Sequence, residues 1–321
     1  ESGNVELAVP LQPVPLTEKY LSEDELGDET QLFPIDLYFC RDCGHVQIFD
    51  CIDPLVLWDD FTFRSGQAKI IVDHLHDVAE RMVKKYDIAK DTLAVDVGSN
   101  DGTLLQGFKN HGMKVLGVDP AETIAKEAIK AGIPTIIDFL TPALAQKINE
   151  THGKAQVVCC FNAFAHSDQL NALASSIRDL LATDGIFIFE VQYLVDIIDG
   201  LVLGAVIHEH LSHHSVKPMR QFLDRNGLEL IDVKKNHFQG GSFIGVAQLK
   251  GGARPISSSV AEMIDYEVKR GFDRPELIKS FSDRLTSLEL EMAGLIKEWK
   301  DNGATIAGYV AARSGPTLTA Q

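Results

Sequence analysis

The residues best suited to chemistry lie between positions 207 and 215, which read Ile-His-Glu-His-Leu-Ser-His-His-Ser. This run is the densest cluster of ionisable groups in the chain. Histidine exchanges protons near neutral pH, and such groups gather at functional sites, so the run predicts a general base. Two alternatives stay open: a solvated loop with incidental histidines, and a metal site, because His210 and His214 would lie one helical turn apart. The metal hypothesis is the weaker one, since the motif His-Glu-x-x-His is lacking.

A second chemical signal is the spacing Gly98-x-x-x-Gly102 after a short apolar run rich in β-branched residues. Asp96 and Asp101 flank this loop, and Asp119 ends the next apolar run about twenty residues on. A dinucleotide loop reads G-x-G-x-x-G, and carboxylates would repel a pyrophosphate. They attract the ammonium and sulfonium groups of S-adenosylmethionine. We therefore predict that methyl donor, with Asp119 holding ribose hydroxyls, and keep a purely structural turn as the alternative.

The elements that must position these residues form a repeated strand and helix pattern. Five apolar runs predict parallel strands at residues 93–97, 114–118, 134–138, 156–162 and 185–191. Open α/β sheets of this Rossmann-like kind bind ligands where the strands end, which places Asn162 and Glu190 beside the glycine loop. His74 lies on the apolar face of a predicted amphipathic helix and is interpreted as a packing residue. An antiparallel pair, joined by a turn at Gly240 and Gly241, closes the sheet.

The N-terminal segment is different in character, because prolines interrupt any long helix there. Cys40 and Cys43 have two residues between them and lie between strand-like runs, which is the spacing of half a zinc site. One pair cannot close such a site. Cys51 and His45 are possible completions. The same spacing is compatible with a second pair preceding the first residue, with a metal-free pair and with a redox pair.

The chain has 321 residues, of which 45% are hydrophobic, and this length and composition predict a soluble globular protein. We expect three segments: residues 1–60, residues 61–250, and residues 251–321 as the start of a further α/β domain, with a new strand at 304–310. The net charge of −16 argues against a nucleic-acid partner. The sequence contains no 18-residue apolar run, so a membrane partner is not expected. Five cysteines, an odd number, suit a reducing cytoplasm, and a monomer or homodimer is expected.

These motifs in this order resemble the three-domain sugar C-methyltransferases, which methylate a ketosugar nucleotide at carbon. The most specific parts are residues 97–105, 162–166, 208–212, 240–243 and 308–312. The resemblance implies a class I S-adenosylmethionine-dependent methyltransferase core, a zinc-binding N-terminal domain with two Cys-x-x-Cys pairs, and a C-terminal α/β domain. Cys40 and Cys43 would be the second of these pairs and the metal would be Zn²⁺. The substrate would be a small molecule, a nucleotide-linked sugar.

The resemblance also implies site residues. His210 is the expected base, with Glu209 orienting its ring or the sugar and His208 nearby. The expected cofactor-binding residues are Phe63, Ser65, Asp96, Gly98, Asn100, Gly102, Asp119, Asp138, Asn162, Phe164 and His166. The expected substrate residues are Glu190, Tyr193, His213, His214, Gln239, Gly241 and Ser242.

Three substrate-side positions depart from the family pattern. Ile207 replaces a tyrosine, Gln239 a histidine, and Ile244 an arginine. The tyrosine is the family's candidate donor to an enolate oxygen. Here His213, His214 or a backbone amide would have to substitute, or transfer would be to oxygen or nitrogen. A scaffold that binds the cofactor without turnover is a further alternative, and a nicotinamide-dependent oxidoreductase is disfavoured by the loop spacing.

Overall fold

A computed structural model describes residues 2–17, 22–25, 27, 29–58, 61–308 and 313–321. The N-terminal residues form three short strands, β1 (Val5–Val9), β2 (Leu37–Cys40) and β3 (Val46–Gln47). The strand β9 (Ser212–His213), which comes from the histidine run, extends them to a four-stranded sheet of order β1-β2-β3-β9. Each neighbouring pair in this sheet is antiparallel. The histidine run is therefore attached to the N-terminal segment.

The central sheet has seven strands: β4 (Leu93–Val97), β5 (Lys114–Val118), β6 (Thr135–Ile136), β7 (Ala155–Phe161), β8 (Leu181–Gln192), β10 (Leu228–Asn236) and β11 (Ser242–Leu249). Their order is β10-β11-β8-β7-β4-β5-β6. The five strands from β4 to β8 pair in parallel, and β11 and β10 add to β8 as an antiparallel pair. The Rossmann-like core predicted from the strand and helix pattern is confirmed.

Helices cover both faces of this sheet, which is why its parallel strands are apolar on both sides. Successive residues Ala94 and Val95 of β4 belong to different buried clusters, one on each face. The helices are α1 (Pro54–Trp58), α2 (Lys69–Lys85), α3 (Thr103–Asn110), α4 (Glu122–Lys130), α5 (Pro142–His152), α6 (Leu170–Leu180), α7 (Leu194–Asp199), α8 (Val216–Arg225), α9 (Ser258–Arg270), α10 (Pro275–Asp301) and α11 (Gly315–Ala320).

The C-terminal segment differs from expectation. Residues 304–308 have no regular structure, and the remainder of the strand expected at 304–310 lies outside the described residues. A strand needs a neighbour for its backbone groups, and no strand pairs with residues 304–308 in the described parts of the chain. In those same parts, no helix combines the length and apolar character that a membrane crossing requires.

Candidate functional site

A cavity of about 740 Å³ lies where the parallel strands of the central sheet end. Its size is that of a typical small-molecule site. The wall combines the loop after β4, the ends of β5, β7 and β8, part of the histidine run and two residues of the C-terminal segment. The cavity brings together twelve of the residues predicted from the sequence: Phe63, Ser65, Asp96, Gly98, Asn100, Asp119, Asp138, Asn162, His166, Glu190, His210 and Gln239.

The glycine loop is tight for two local reasons. Gly98 and Gly102 have φ angles of 73° and 81°, which glycine adopts without strain. A Cβ on Gly98 would lie 2.6 Å from the Ala163 side chain, and one on Gly102 would lie 2.9 Å from Ile133. Gly98 therefore lets the loop pass close to the end of β7 at the cavity. Gly102 lies outside the cavity wall and serves the packing of the loop against Ile133.

Two buried carboxyl groups line the cavity beside this loop. Asp119 accepts hydrogen bonds from the backbone N–H groups of Asn100 at 2.7 Å and Ala121 at 2.9 Å, which fix its orientation. Burial, together with nearby Asp119, raises the pKa of the Asp96 carboxyl well above its usual range, and burial raises the pKa of Asp119. Oδ1 of Asp96 has no hydrogen-bond partner among the described residues. A cation bound beside these groups would favour their ionised forms, so the pair suits a ligand with an ammonium group and hydroxyls.

The segment before α2 is fastened over the loop. The Ser65 backbone N–H donates to Asn100 Oδ1 at 2.9 Å, and Asn100 Nδ2 donates to the Phe63 carbonyl at 2.9 Å. Gly66 N–H donates to Asp101 Oδ2 at 2.7 Å. Asp101 therefore holds this segment and is not part of the cavity wall. The segment forms one side of the cavity.

His210 has the geometry of a neutral base. Its Nδ1 lies 2.7 Å from the Ala205 carbonyl oxygen, and because a carbonyl only accepts, Nδ1 carries the proton and Nε2 keeps a lone pair. Burial lowers the pKa of His210, which favours the neutral ring. The ring stacks on His166, with centroids 5.2 Å apart and planes 9° apart. A neutral, oriented imidazole in the cavity wall can accept a proton from a bound substrate.

The two residues that precede His210 do not line the cavity. Glu209 is 2% exposed and accepts a 2.6 Å hydrogen bond from the Thr17 hydroxyl and another from the Arg313 guanidinium. His208 Nε2 lies 3.2 Å from the Phe33 carbonyl oxygen. Both side chains thus attach the run to distant segments of the chain.

Six more of the predicted residues lie outside the main cavity: Phe164, Tyr193, His213, His214, Gly241 and Ser242. Phe164 is fully buried among aromatic rings of β8, and the Ser242 hydroxyl donates to the Phe238 carbonyl at 3.0 Å. A Cβ on Gly241 would lie 2.3 Å from the Asp196 side chain. The backbone of Gly241 therefore lies close against Asp196, which requires glycine at this position. His213 borders a separate space of about 10 Å³ shared with His210, which is about one water molecule in size.

His74 lines the cavity, whereas the sequence indicated only a packing residue. Its Nε2 lies 3.0 and 2.9 Å from the two carboxylate oxygens of Glu190, and its ring stacks on Phe238 with centroids 4.0 Å apart. Helical periodicity could not predict that His74 lines a cavity, because packing residues and cavity residues lie on the same face of α2. The available signal was Glu190 itself, since an acid at the end of a buried strand needs a partner.

The cavity adjoins a group of five histidines, of which His213 and His214 are buried and His45, His166 and His210 are half-buried. Burial lowers the pKa of His45 to about 4 and that of His213 to about 3. Burial also holds the pKa of His166 and His214 well below the usual value. All of these rings are therefore neutral at neutral pH, and each resists protonation because its charge would be buried.

This group predicts a protein that is labile in acid. Unfolded histidine titrates near pH 6.5, so below that pH the unfolded chain binds protons that folded His45 and His213 do not. The contribution of these histidines to the free energy of unfolding is fully present above pH 6.5. It falls as the pH drops towards 4, by about 1.4 kcal/mol per pH unit for each such group. Urea unfolding at a series of pH values measures this slope. His213→Gln should flatten it, whereas the exposed control His152→Asn should not. Equal slopes in all three proteins would contradict the prediction.

Cys40 and Cys43 lie on the hairpin between β2 and β3. Gly44 N–H donates to the Cys40 carbonyl at 2.8 Å, and the φ of 79° at Gly44 closes the turn. Burial raises the pKa of the Cys40 thiol, but hydrogen bonds from the backbone N–H groups of Cys43 and Asp42 outweigh it and lower the pKa. The turn thus favours the thiolate, the form that binds metal, at Cys40, whereas burial raises the pKa of the Cys43 thiol. No group of three possible metal ligands occurs among the described residues.

Comparisons with known proteins agree with this arrangement of segments. Three family models match the chain in succession: a zinc binding domain at residues 1–58, a methyltransferase domain at 73–233, and a C-methyltransferase C-terminal domain at 237–321. The C-methyltransferase NovU of Streptomyces niveus is 31% identical over 298 residues, which are 93% of this chain and 71% of NovU.

Solved structures with lower identity are also similar. The magnesium protoporphyrin IX methyltransferase ChlM of Synechocystis PCC 6803, with bound SAH, is 21% identical with a TM-score of 0.44, over 60% of this chain and 91% of that chain. The PH0226 protein of Pyrococcus horikoshii OT3 is 14% identical with a TM-score of 0.47, over 62% of this chain and 97% of that chain.

Proposed function

Because this chain belongs to the C-methyltransferase family, in which a zinc-binding domain, a methyltransferase domain and a C-terminal domain follow one another, we propose that it methylates a carbon atom of a nucleotide-linked ketosugar. The methyl donor is S-adenosylmethionine, which supplies an electrophilic methyl group when bound. Asp119 would hold the ribose hydroxyls of the donor, Asp96 would attract its positive charge, and the backbone of the loop at Gly98 would lie against it. The segment containing Phe63 and Ser65 would cover it.

The observation that carries this proposal is the state of His210. Its Nδ1–H is held by the Ala205 carbonyl, so Nε2 is an acceptor in the wall of the cavity that Asp96 and Asp119 also line. Methylation at carbon needs a nucleophilic carbon, and removing a proton next to a ketone provides one as an enolate. In this step Nε2 of His210 takes the proton. The electrons of the broken C–H bond form the C=C bond, and the carbonyl electrons move to oxygen.

When bound, the donor would supply its methyl group to the enolate carbon, and the electrons of the methyl–sulfur bond would remain on sulfur. The stacked His166 ring keeps water away from one face of His210. Glu209 maintains the position of the run that carries His210, through Thr17 and Arg313. Neither residue needs to change its protonation state in this mechanism.

Deuterium exchange tests the proposal directly. Ketosugar nucleotides are incubated with the protein in D₂O without methyl donor, and exchange at the carbon next to the ketone is followed by NMR. We expect exchange with at least one of them, and a new carbon–methyl resonance when the donor is added. A methyl group found on oxygen or nitrogen would replace this proposal with O- or N-methylation. Donor binding without any turnover would favour a scaffold.

We also propose that Cys40 and Cys43 contribute two of the ligands of a structural zinc site. Zinc would then fix the hairpin between β2 and β3 through the two thiolates. Metal analysis should find about one zinc per chain, lost in Cys40→Ser and Cys43→Ser alike. Cys51→Ser is the matched control, because Cys51 is exposed and unpaired with another thiol among the described residues. Zinc retained in both hairpin variants would contradict the assignment.

A further inference from the structure

The enolate oxygen requires a hydrogen-bond donor, and Ile207 cannot provide one although it lines the cavity. Family members that carry a tyrosine at this position have a hydroxyl group there. His213 and His214, the substitutes considered from the sequence, lie outside the cavity wall. The remaining sources are a backbone amide and a side chain on another element.

The pair of His74 on α2 and Glu190 on β8 has the required geometry. Both Glu190 oxygens lie within hydrogen-bond distance of His74 Nε2, and Asn236 Nδ2 lies 2.6 Å from Oε1. An amide nitrogen only donates, so the carboxylate accepts from Asn236 and receives the Nε2–H of His74. Glu190 is 1% exposed. Its acceptor-only contacts are those of an ionised carboxylate.

A carboxylate buried to this extent needs a compensating positive charge. Among the described residues, His74 is the only group in contact with the Glu190 carboxylate that can carry one. The Phe238 ring, stacked on the imidazole, also favours a cation. When His74 is protonated both ring nitrogens carry hydrogen, and the second, Nδ1–H, has no partner among the described residues. It is available to a ligand in the cavity that His74 lines.

The pair also lies beside the loop that would hold the methyl donor. The Asn162 backbone N–H donates to the Glu190 carbonyl at 2.8 Å, and Ala163 is the residue that a Cβ on Gly98 would contact. Glu190 and the glycine loop are therefore separated only by the end of β7. The other cation that lines the cavity, Arg313, is neutralised by Glu209.

We infer that His74, held by Glu190, is a catalytic hydrogen-bond donor that stabilises the negative oxygen of the enolate while His210 accepts the carbon-bound proton. The inference rests on the proposed function. It assigns opposite protonation states to the two histidines: His210 is neutral and accepts, whereas His74 is cationic and donates. Glu190 is then a positioning residue that acts through His74.

The charge of His74 makes the proposal testable by substitution. The other ionisable groups that line the cavity with the pair are Asp96 on β4, Asp119 after β5, Asp138 after β6, Cys160 on β7, His166 and Asp168 after β7, His210 on the histidine run and Arg313 on the C-terminal segment. Of the described groups that titrate, only Glu190 is in direct contact with it.

The experiment measures deuterium exchange in the absence of methyl donor for the full chain and four variants. His74→Phe should exchange about 10²-fold or more slowly. His74→Gln keeps a neutral donor and should therefore lose less than His74→Phe. Glu190→Gln keeps an acceptor for the Nε2–H of His74 but removes the compensating charge, so it should slow exchange by less than His74→Phe. His76→Asn, two residues along α2 and outside the cavity, should match the parent protein.

Donor affinity, measured by calorimetry, should stay within about twofold in every variant. Exchange rates in the His74 and Glu190 variants equal to that of His76→Asn would overturn the inference and leave the proposed function standing. A loss confined to donor affinity would overturn it as well, since His74 would then belong to the donor site. Absence of exchange in the parent protein with every ketosugar nucleotide would overturn the proposed function, and the inference with it.

Discussion

Replacing His210 with glutamine should reduce kcat by about 10²- to 10⁴-fold, the usual contribution of a general base. Glutamine has similar length and retains polar atoms, but it cannot take up a proton at neutral pH. Deuterium exchange into the substrate should fall by the same factor, because His210 acts before methyl transfer. Binding of S-adenosylmethionine should be unchanged, since the donor contacts we propose lie at Asp96, Asp119 and the glycine loop.

The matched control is His152→Asn, because His152 is exposed at the end of α5 and does not line the cavity. Thermal unfolding shows whether His210→Gln is folded, which matters because the lost bond to Ala205 is partly buried. Parent-like exchange in a folded His210→Gln protein would assign proton removal to another group. His166, stacked on the same ring, would be the next residue to replace.

Replacing Asp119 with asparagine should weaken the binding of S-adenosylmethionine by about 10²-fold or more. Hydrogen bonds to a charged acceptor contribute about 1.5–3 kcal/mol each, and a ribose offers two hydroxyls. Asparagine keeps one acceptor oxygen, so it can receive only one of the two backbone amides of Asn100 and Ala121 that the carboxylate now receives. Its NH₂ group would face another donor.

Calorimetry at pH 7.5 measures the change in affinity, and the exposed Asp184→Asn is the control that removes an equal charge elsewhere. Because burial raises the pKa of Asp119, parent affinity should also weaken as the pH falls and this carboxylate takes up a proton. Equal affinities for the parent and Asp119→Asn would place the ribose elsewhere. That result would leave the role of His210 intact.

The sequence was sufficient to predict the sheet and the residues that meet where its parallel strands end. Apolar runs such as β4 and β5 are buried on both faces, so their burial pattern and strand ends can be located without tertiary information. In a parallel sheet these ends meet on one edge. Asp96, Gly98 and Asp119 therefore had to lie near one another once the strands were identified.

The direction of each side chain in the histidine run could not be predicted in the same way. The run has neither helical nor strand periodicity over its length. The direction of each side chain is therefore set by its contacts with residues that are distant in the sequence. Glu209 turns to Thr17 and Arg313, and His208 turns to the Phe33 carbonyl, more than 100 residues away in each case. A resemblance to a family identified the run, but only the tertiary contacts separate the cavity residue His210 from its neighbours.

His74 illustrates the second limit of sequence reasoning. Its position on α2 satisfies the amphipathic pattern, and two apolar residues near it on the same helix, Ile71 and Leu75, also line the cavity. An apolar helix face can meet a core or a ligand with the same spacing of residues. The pairing with Glu190 depends on the angle between α2 and the sheet, and the local sequence carries no information about that angle.

The strand β9 has a consequence for the modularity of the protein. Gln47 and Val46 of the N-terminal hairpin pair with Ser212 and His213, and Ile48 N–H donates to the Leu211 carbonyl at 3.0 Å. The backbone that carries the proposed base is thus an edge of the cysteine-bearing sheet. A central domain expressed without the N-terminal segment would lack the strand with which this backbone pairs. It should therefore retain donor affinity but lose methyltransferase activity.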